Sequence, residues 1–169
     1  MNEYLKLFKP IEDKIPVIKR ELNKVINDMV SCKDVYDWGD FAPDGWTAFP
    51  IFSYPEGNNI VGITEKVPLT ARIIKHAIPN HGTVALSRLL GNNYIKPHCG
   101  FQGDFLRYHL GIKVPKGDLG LRVIQEDKIY RWEEGKSFIF DDRKEHEAWN
   151  YSDEERIVLI IDFIPPGIK

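Results

Sequence analysis

From Ile11 to Val30 the apolar positions Ile15, Ile18, Leu22, Val25, Ile26 and Met29 recur at spacings of three and four. That period predicts an amphipathic helix, with Pro16 tolerable only in its first turn. Val67 to Ala77 predicts a second helix, with Thr70 as a candidate cap and Pro79-Asn80-His81-Gly82 as its stop. Between the two, Asp34 to Phe41 is acidic and aromatic and reads as turn. Trp46 to Phe52 reads as an aromatic and β-branched strand broken by Pro50, and Pro55 to Asn59 is a turn cluster.

After Gly82 the pattern shortens and alternates. Eight runs follow, separated by Gly, Pro, Asn or Asp: Thr83–Leu89, Tyr94–His98, Phe105–Val114, Leu119–Ile124, Lys128–Trp132, Ser137–Asp141, His146–Asn150 and Arg156–Phe163. Eight short strands at this spacing predict a sandwich or jelly-roll barrel. The expected fold is therefore mainly β, one domain over residues 1–169. Residues 1–82 supply a helical part and a first strand against one sheet, and residues 83–165 the β core.

Length and composition narrow the reading further. A chain of 169 residues, 43% apolar and 12% aromatic, is long enough to bury a real core. A net charge of -2 with dispersed basic residues argues against a nucleic-acid or anionic-membrane partner. Cys32 and Cys99 do not make a disulfide scaffold, and Cys99 has no second cysteine near it for a thiolate zinc site. Neither a signal peptide nor a run of about 20 apolar residues is present, so the expected location is the cytoplasm.

The candidate chemistry lies in two histidine blocks, Lys96-Pro97-His98-Cys99-Gly100 and Asp141-Asp142-Arg143-Lys144-Glu145-His146. Imidazoles brought together from separate strands hold a divalent metal, whereas either one alone reads as an ordinary strand-end histidine. Arg107 and His109 alternate along Phe105–Gly111 and share a strand face opposite Leu106, Tyr108 and Leu110. With the leucine face in the core, theirs is either solvent or the inside of a polar pocket. Arg156 opens the most apolar run of the chain, placed for bidentate capture of a carboxylate, and Ser87 offers a hydroxyl.

Taken together, Gly45-Trp46-Thr47-Ala48-Phe49-Pro50, Pro97-His98-Cys99-Gly100, Leu106-Arg107-Tyr108-His109-Leu110-Gly111, Trp132-Glu133-Glu134-Gly135 and Glu145-His146-Glu147-Ala148-Trp149-Asn150, with Arg156, resemble a known family. It is the catalytic domain of the aspartyl/asparaginyl β-hydroxylases, iron(II)- and 2-oxoglutarate-dependent oxygenases. The resemblance spans about Trp46 to Pro165 and implies a double-stranded β-helix with a cupin-like jelly roll. It implies His98 and His146 as the iron(II) ligands, with Gly100 where other oxygenases of this class carry a carboxylate. A water held by Asp142 would fill that third position. Ser87 and Arg156 would bind the distal carboxylate of the co-substrate 2-oxoglutarate. Arg107 and His109 would face its other end or an anionic substrate group, and the sequence does not apportion the two.

The activity so implied is that of a dioxygenase. It uses O2 to hydroxylate a C–H bond of an amino acid, a peptidyl Asp/Asn residue or a small metabolite, releasing succinate and CO2. Secretory-pathway members carry a membrane anchor and helical repeats before this domain. Neither precedes it here, so a cytoplasmic substrate rather than a lipid is expected. Three cationic groups, Arg107, His109 and Arg156, are more than one dianionic keto acid needs, so that substrate is expected to be anionic or to carry a carboxamide. Two other readings use the same barrel: a cupin-like metal enzyme without 2-oxoglutarate, and a non-catalytic ligand-binding jelly roll. Arg156 with Ser87 speaks against the first, and the paired histidines speak against the second.

Overall fold

A computed structural model describes residues 1–36 and 39–167 of the chain. A 3-10 segment, Asn2–Phe8, leads into helix α1 (Lys9–Glu12) and helix α2 (Ile15–Val25). Pro16 sits in the first turn of α2, where no intrahelical N–H is needed. The single helix expected over Ile11–Val30 is thus divided. It ends early in a 3-10 turn, and Val30–Ser31 forms a short strand, β1. The segment expected to turn holds α3 (Cys32–Tyr36) and a 3-10 turn, Gly39–Phe41, while Asp37 and Trp38 lie outside the described residues.

Strand β2 (Trp46–Phe52) runs through Pro50 rather than stopping there. The register against its neighbour shifts between Pro50 and Phe52, so the proline is absorbed by an irregularity. Helix α4 (Pro68–Ala77) begins at a proline, and Thr70 is its third residue, not its cap. The N–H groups of Leu69 and Thr70 instead donate to the two carboxylate oxygens of Glu21 on α2, at 3.1 and 2.7 Å. A buried acid therefore caps one helix from another, satisfying orphan donors at the positive end of the dipole.

The eight predicted runs are all strands: β3 (His81–Leu89), β4 (Asn93–His98), β5 (Leu106–Lys113), β6 (Leu119–Val123), β7 (Lys128–Tyr130), β8 (Ser137–Phe140), β9 (His146–Asn150) and β10 (Arg156–Phe163). β3 starts two residues early, so His81 and Gly82 belong to the strand and the turn is confined to Pro79-Asn80. The strands pair antiparallel in two sheets, β1-β2-β3-β10-β5-β8 and β4-β9-β6-β7. This is the mainly β, jelly-roll architecture expected.

Both faces of the larger sheet are buried, which explains why β10 reads as an unbroken apolar run. Its outer face, with Phe49, Leu86, Tyr108, Leu110 and Leu159, is covered by Phe8, Ile11, Ile18, Leu22 and Ile74 of the helical layer. Phe8 lies flat on Tyr108, ring centroids 3.9 Å apart. The inner face meets the smaller sheet in a second core holding Trp46, Leu89, Val158, Ile95 and Leu121. By alternation, the residues opposite Tyr108 and Leu110 on β5, namely Arg107 and His109, point into the space between the sheets. No helix among the described residues is long and apolar enough to cross a membrane.

Candidate metal and co-substrate site

His98 and His146 end up side by side because β4 and β9 pair antiparallel with these two residues as partners. Their ring centroids are 4.3 Å apart. In each, Nδ1 lies 2.8 Å from the backbone carbonyl two residues earlier, Lys96 O or Lys144 O. A carbonyl only accepts, so Nδ1 carries the proton in both rings and the Nε2 lone pair is left for another partner. Such backbone anchoring fixes the orientation and tautomer of a metal-binding histidine. Burial, opposed by the Lys96 carbonyl, lowers the His98 pKa to about 4. Burial and the neighbouring His98 lower that of His146 to about 3. Both rings are therefore neutral at pH 7. Phe41 stacks on His98, and Phe140 meets His146 edge-on.

His109 is the opposite tautomer. Trp132 Nε1, which can only donate, lies 3.2 Å from His109 Nδ1, so the proton sits on Nε2. That Nε2 is buried without a partner. Burial, with Arg107 and Arg156 nearby, holds the ring's pKa well below its usual value. His109 is thus a neutral donor aimed into the cavity, and its lone pair is already engaged.

The same cavity is lined by Trp46, Ser87, Arg107, Trp132 and Arg156 together with the three histidines. Arg156 is 2% exposed and stands over the Trp132 ring at 4.4 Å; among the described residues it donates only to Ser87 O, at 3.3 Å, and its Nε is unpartnered. Burial without a facing carboxylate draws its pKa down to about 9. Ser87 Oγ accepts from Trp46 Nε1 at 3.0 Å, leaving its own hydroxyl hydrogen to donate.

Arg107 is engaged differently from what its position suggests. Its Nε and Nη2 donate to the two oxygens of Asp162 at 2.7 and 2.8 Å, and its Nη1 lies 3.0 Å from Asp142 Oδ2. Asp162 was absent from the sequence reading, although 156, 158, 160 and 162 share one strand face and Asp162 is the register partner of Arg107. The surplus cationic capacity that suggested an anionic substrate is therefore not there. Of the three groups counted, one is spent on two carboxylates and one is a neutral imidazole.

Asp142 is buried, and burial, partly opposed by Arg107, raises its pKa to about 6. Its carbonyl accepts from Gly100 N–H at 2.6 Å, and a Cβ placed on Gly100 would fall on its carboxylate. The Asp142 carboxyl thus occupies the space that a side chain at position 100 would need. Among the described residues, no cluster of three or more His, Cys, Asp or Glu side chains is placed to hold a metal. Two histidine lone pairs on one wall, and a buried arginine without a carboxylate partner on the cavity's lining, are what the fold presents.

The family model for aspartyl/asparaginyl beta-hydroxylase matches residues 12–166. The chain belongs to that family. It is 32% identical over 163 residues to an ornithine lipid ester-linked acyl 2-hydroxylase of Rhizobium tropici, covering 92% of this chain and 56% of that protein. It is also 36% identical over 110 residues to the human aspartyl/asparaginyl beta-hydroxylase, covering 63% of this chain and 13% of that protein. The chain thus spans about half the length of the first relative and a small part of the second. Among solved structures, the DMSP lyase DddQ of Ruegeria pomeroyi superposes with a TM-score of 0.50 at 10% identity, over 80% of this chain and 56% of that one. That likeness concerns the fold alone.

Proposed function

We propose that the chain is an iron(II)- and 2-oxoglutarate-dependent hydroxylase. The observation that carries this reading is Arg156, buried and without a carboxylate partner among the described residues, on the lining of a cavity that also presents the Nε2 lone pairs of His98 and His146. A buried guanidinium of this kind is unfavourable unless an anion completes it. The donor set fits a divalent ion that draws its remaining ligands from water and from a bidentate keto acid. Bound iron(II), with 2-oxoglutarate and O2, would supply the oxidising power to break an unactivated C–H bond.

The chain's own residues bind, orient and seal. Arg156 and the Ser87 hydroxyl hold the distal carboxylate, and His109 Nε2–H donates to an oxygen of the same anion. Arg107 is a positioning residue that ties Asp142 beside Gly100, where its carboxyl would hold a water next to the histidine pair. Trp46, Trp132 and Phe140 keep bulk water out. The substrate classes open to such a site are an amino acid, a peptidyl Asp/Asn residue, a small metabolite or an acyl group, as the names of the two relatives suggest.

The test is anaerobic dialysis of iron(II) with and without 2-oxoglutarate, followed by succinate release in air. One iron per chain, tighter with 2-oxoglutarate and lost in His146→Ala, is expected. Stoichiometric iron in both His98→Ala and His146→Ala, or no succinate under any condition, would overturn the assignment.

A further inference from the structure

Next to the inner cavity lies a second chamber of about 50 Å3, walled by Trp46 and Tyr54, floored by Ala48 and Ala85, and bounded by Thr83 and Arg107. It shares Trp46, Ser87, Arg107 and Ile160 with the inner cavity, and Trp46, Tyr54 and Arg107 with the outer cleft that contains His98 and Gly100. Anything seated in it is therefore adjacent to the histidine pair. The strand register explains the space. Ala48 and Ala85 are inward positions of β2 and β3, paired with Ser87 and Pro50, and both are small.

Two observations say what the chamber accepts. Thr83 is 9% exposed, and its hydroxyl is buried without a hydrogen-bond partner. A buried hydroxyl is normally paired, so this one has a hydrogen bond to offer to a polar atom that enters the chamber. Among the described residues, the chamber's single charged lining residue is Arg107, which already serves Asp142 and Asp162. The remaining polar groups are the hydroxyls of Ser87, Thr83 and Tyr54 and the thiol of Cys32. Burial pushes the Cys32 thiol up to about 12 and raises the Tyr54 phenol, so both are neutral. Among these described residues an anion would find no spare cation, and a cation no spare carboxylate.

We propose that this chamber is the substrate's anchoring subsite, taking an uncharged aliphatic segment that carries one amide, ester or hydroxyl group, hydrogen-bonded to Thr83. This rests on the hydroxylase reading of the adjoining cavity. The volume admits on the order of four water-sized groups, so it grips one end of a substrate whose remainder lies in the cleft.

The experiment titrates the full chain with hexanamide, hexanoate and hexylamine, probes of one length and three charges, with binding read by protein-detected NMR. Hexanamide should bind at least about fivefold tighter than either ion, the scale of one neutral hydrogen bond. Thr83→Val should lose that margin and Thr83→Ser should keep it, while Ala85→Leu, which fills the floor, should abolish binding. Equal or tighter binding of either ion, a Thr83→Ser that behaves like Thr83→Val, or an Ala85→Leu that binds like wild type would each overturn the proposal. The charge series needs no variant and so survives any that fail to fold. Succinate release without a hexanamide preference removes the subsite alone. A hexanamide preference in a protein that neither binds nor turns over 2-oxoglutarate removes the hydroxylase reading, and the substrate assignment with it.

Discussion

Arg156 and Gly100 show how single residues set the chemistry available. Arg156 has one weak backbone acceptor and an aromatic platform, and otherwise faces the cavity. Its planar fork matches a carboxylate in a way that a lysine ammonium does not. Arg156→Lys should weaken 2-oxoglutarate binding by about 2–5 kcal/mol, the cost of spoiling a buried charged pair. The check is the co-substrate KM, which should rise with little change in iron binding at saturating keto acid. At Gly100 the restriction is steric, since a Cβ there meets the Asp142 carboxylate. Gly100→Ala should displace Asp142, strain its ion pair with Arg107 and lower stability by about 1–3 kcal/mol, measurable as a shifted urea midpoint. The tautomers of the three histidines are also decided residue by residue. Carbonyls two residues upstream are local for His98 and His146, whereas the indole that sets His109 comes from a distant stretch.

Among the elements, the helical layer holds one contact that no local pattern announces. Thr70 looked like a cap because hydroxyl residues near a helix start usually are. In the fold it is inside α4, and the cap is Glu21. Glu21→Ala would leave one buried and one part-buried N–H group without acceptors and should cost about 1–3 kcal/mol, seen as a lower Tm with unchanged iron binding. The β elements were far more legible. Each of the eight runs after Gly82 is a strand, because alternation and turn residues act locally. Pro50 misled because a proline breaks a ladder only where its missing N–H is required. The two-residue strand β1 was not legible at all, since it exists only through pairing with β2.

For the molecule as a whole, several buried neutral histidines make folding sensitive to acid. The folded-state pKa values of His98, His109 and His146 lie below the ordinary 6.5, so below pH 6.5 the unfolded chain takes up protons that the folded chain refuses. Stability is then fully present above pH 6.5 and falls as the pH drops. Asp142 opposes this, because its raised pKa lets the folded state bind a proton between about 6 and its ordinary 3.8. With His98, His109 and His146 set against Asp142, two histidines are uncompensated between pH 6.5 and 5, each worth up to about 1.4 kcal/mol per pH unit. Metal-free protein should therefore show a urea midpoint that falls steadily from pH 6.5 to pH 5. A midpoint that rises over that range would contradict these burials.

Period and alternation in the amino-acid sequence were enough for the β architecture, for an apolar β10 buried on both faces, and for a strand that turns Arg107 and His109 away from the leucine core. The order of His98, His146 and Arg156 was enough to name the family. These are properties of neighbours along the chain, where geometry is set by the backbone itself. Only the tertiary structure decided that Arg107 is already neutralised, that the His109 Nε2 carries a proton and not a lone pair, that Glu21 caps α4, and that Thr83 borders a chamber beside the site. Each of these depends on which residues two distant segments bring opposite one another, and a side chain's charge and hydrogen-bonding state follow from the partner it meets there.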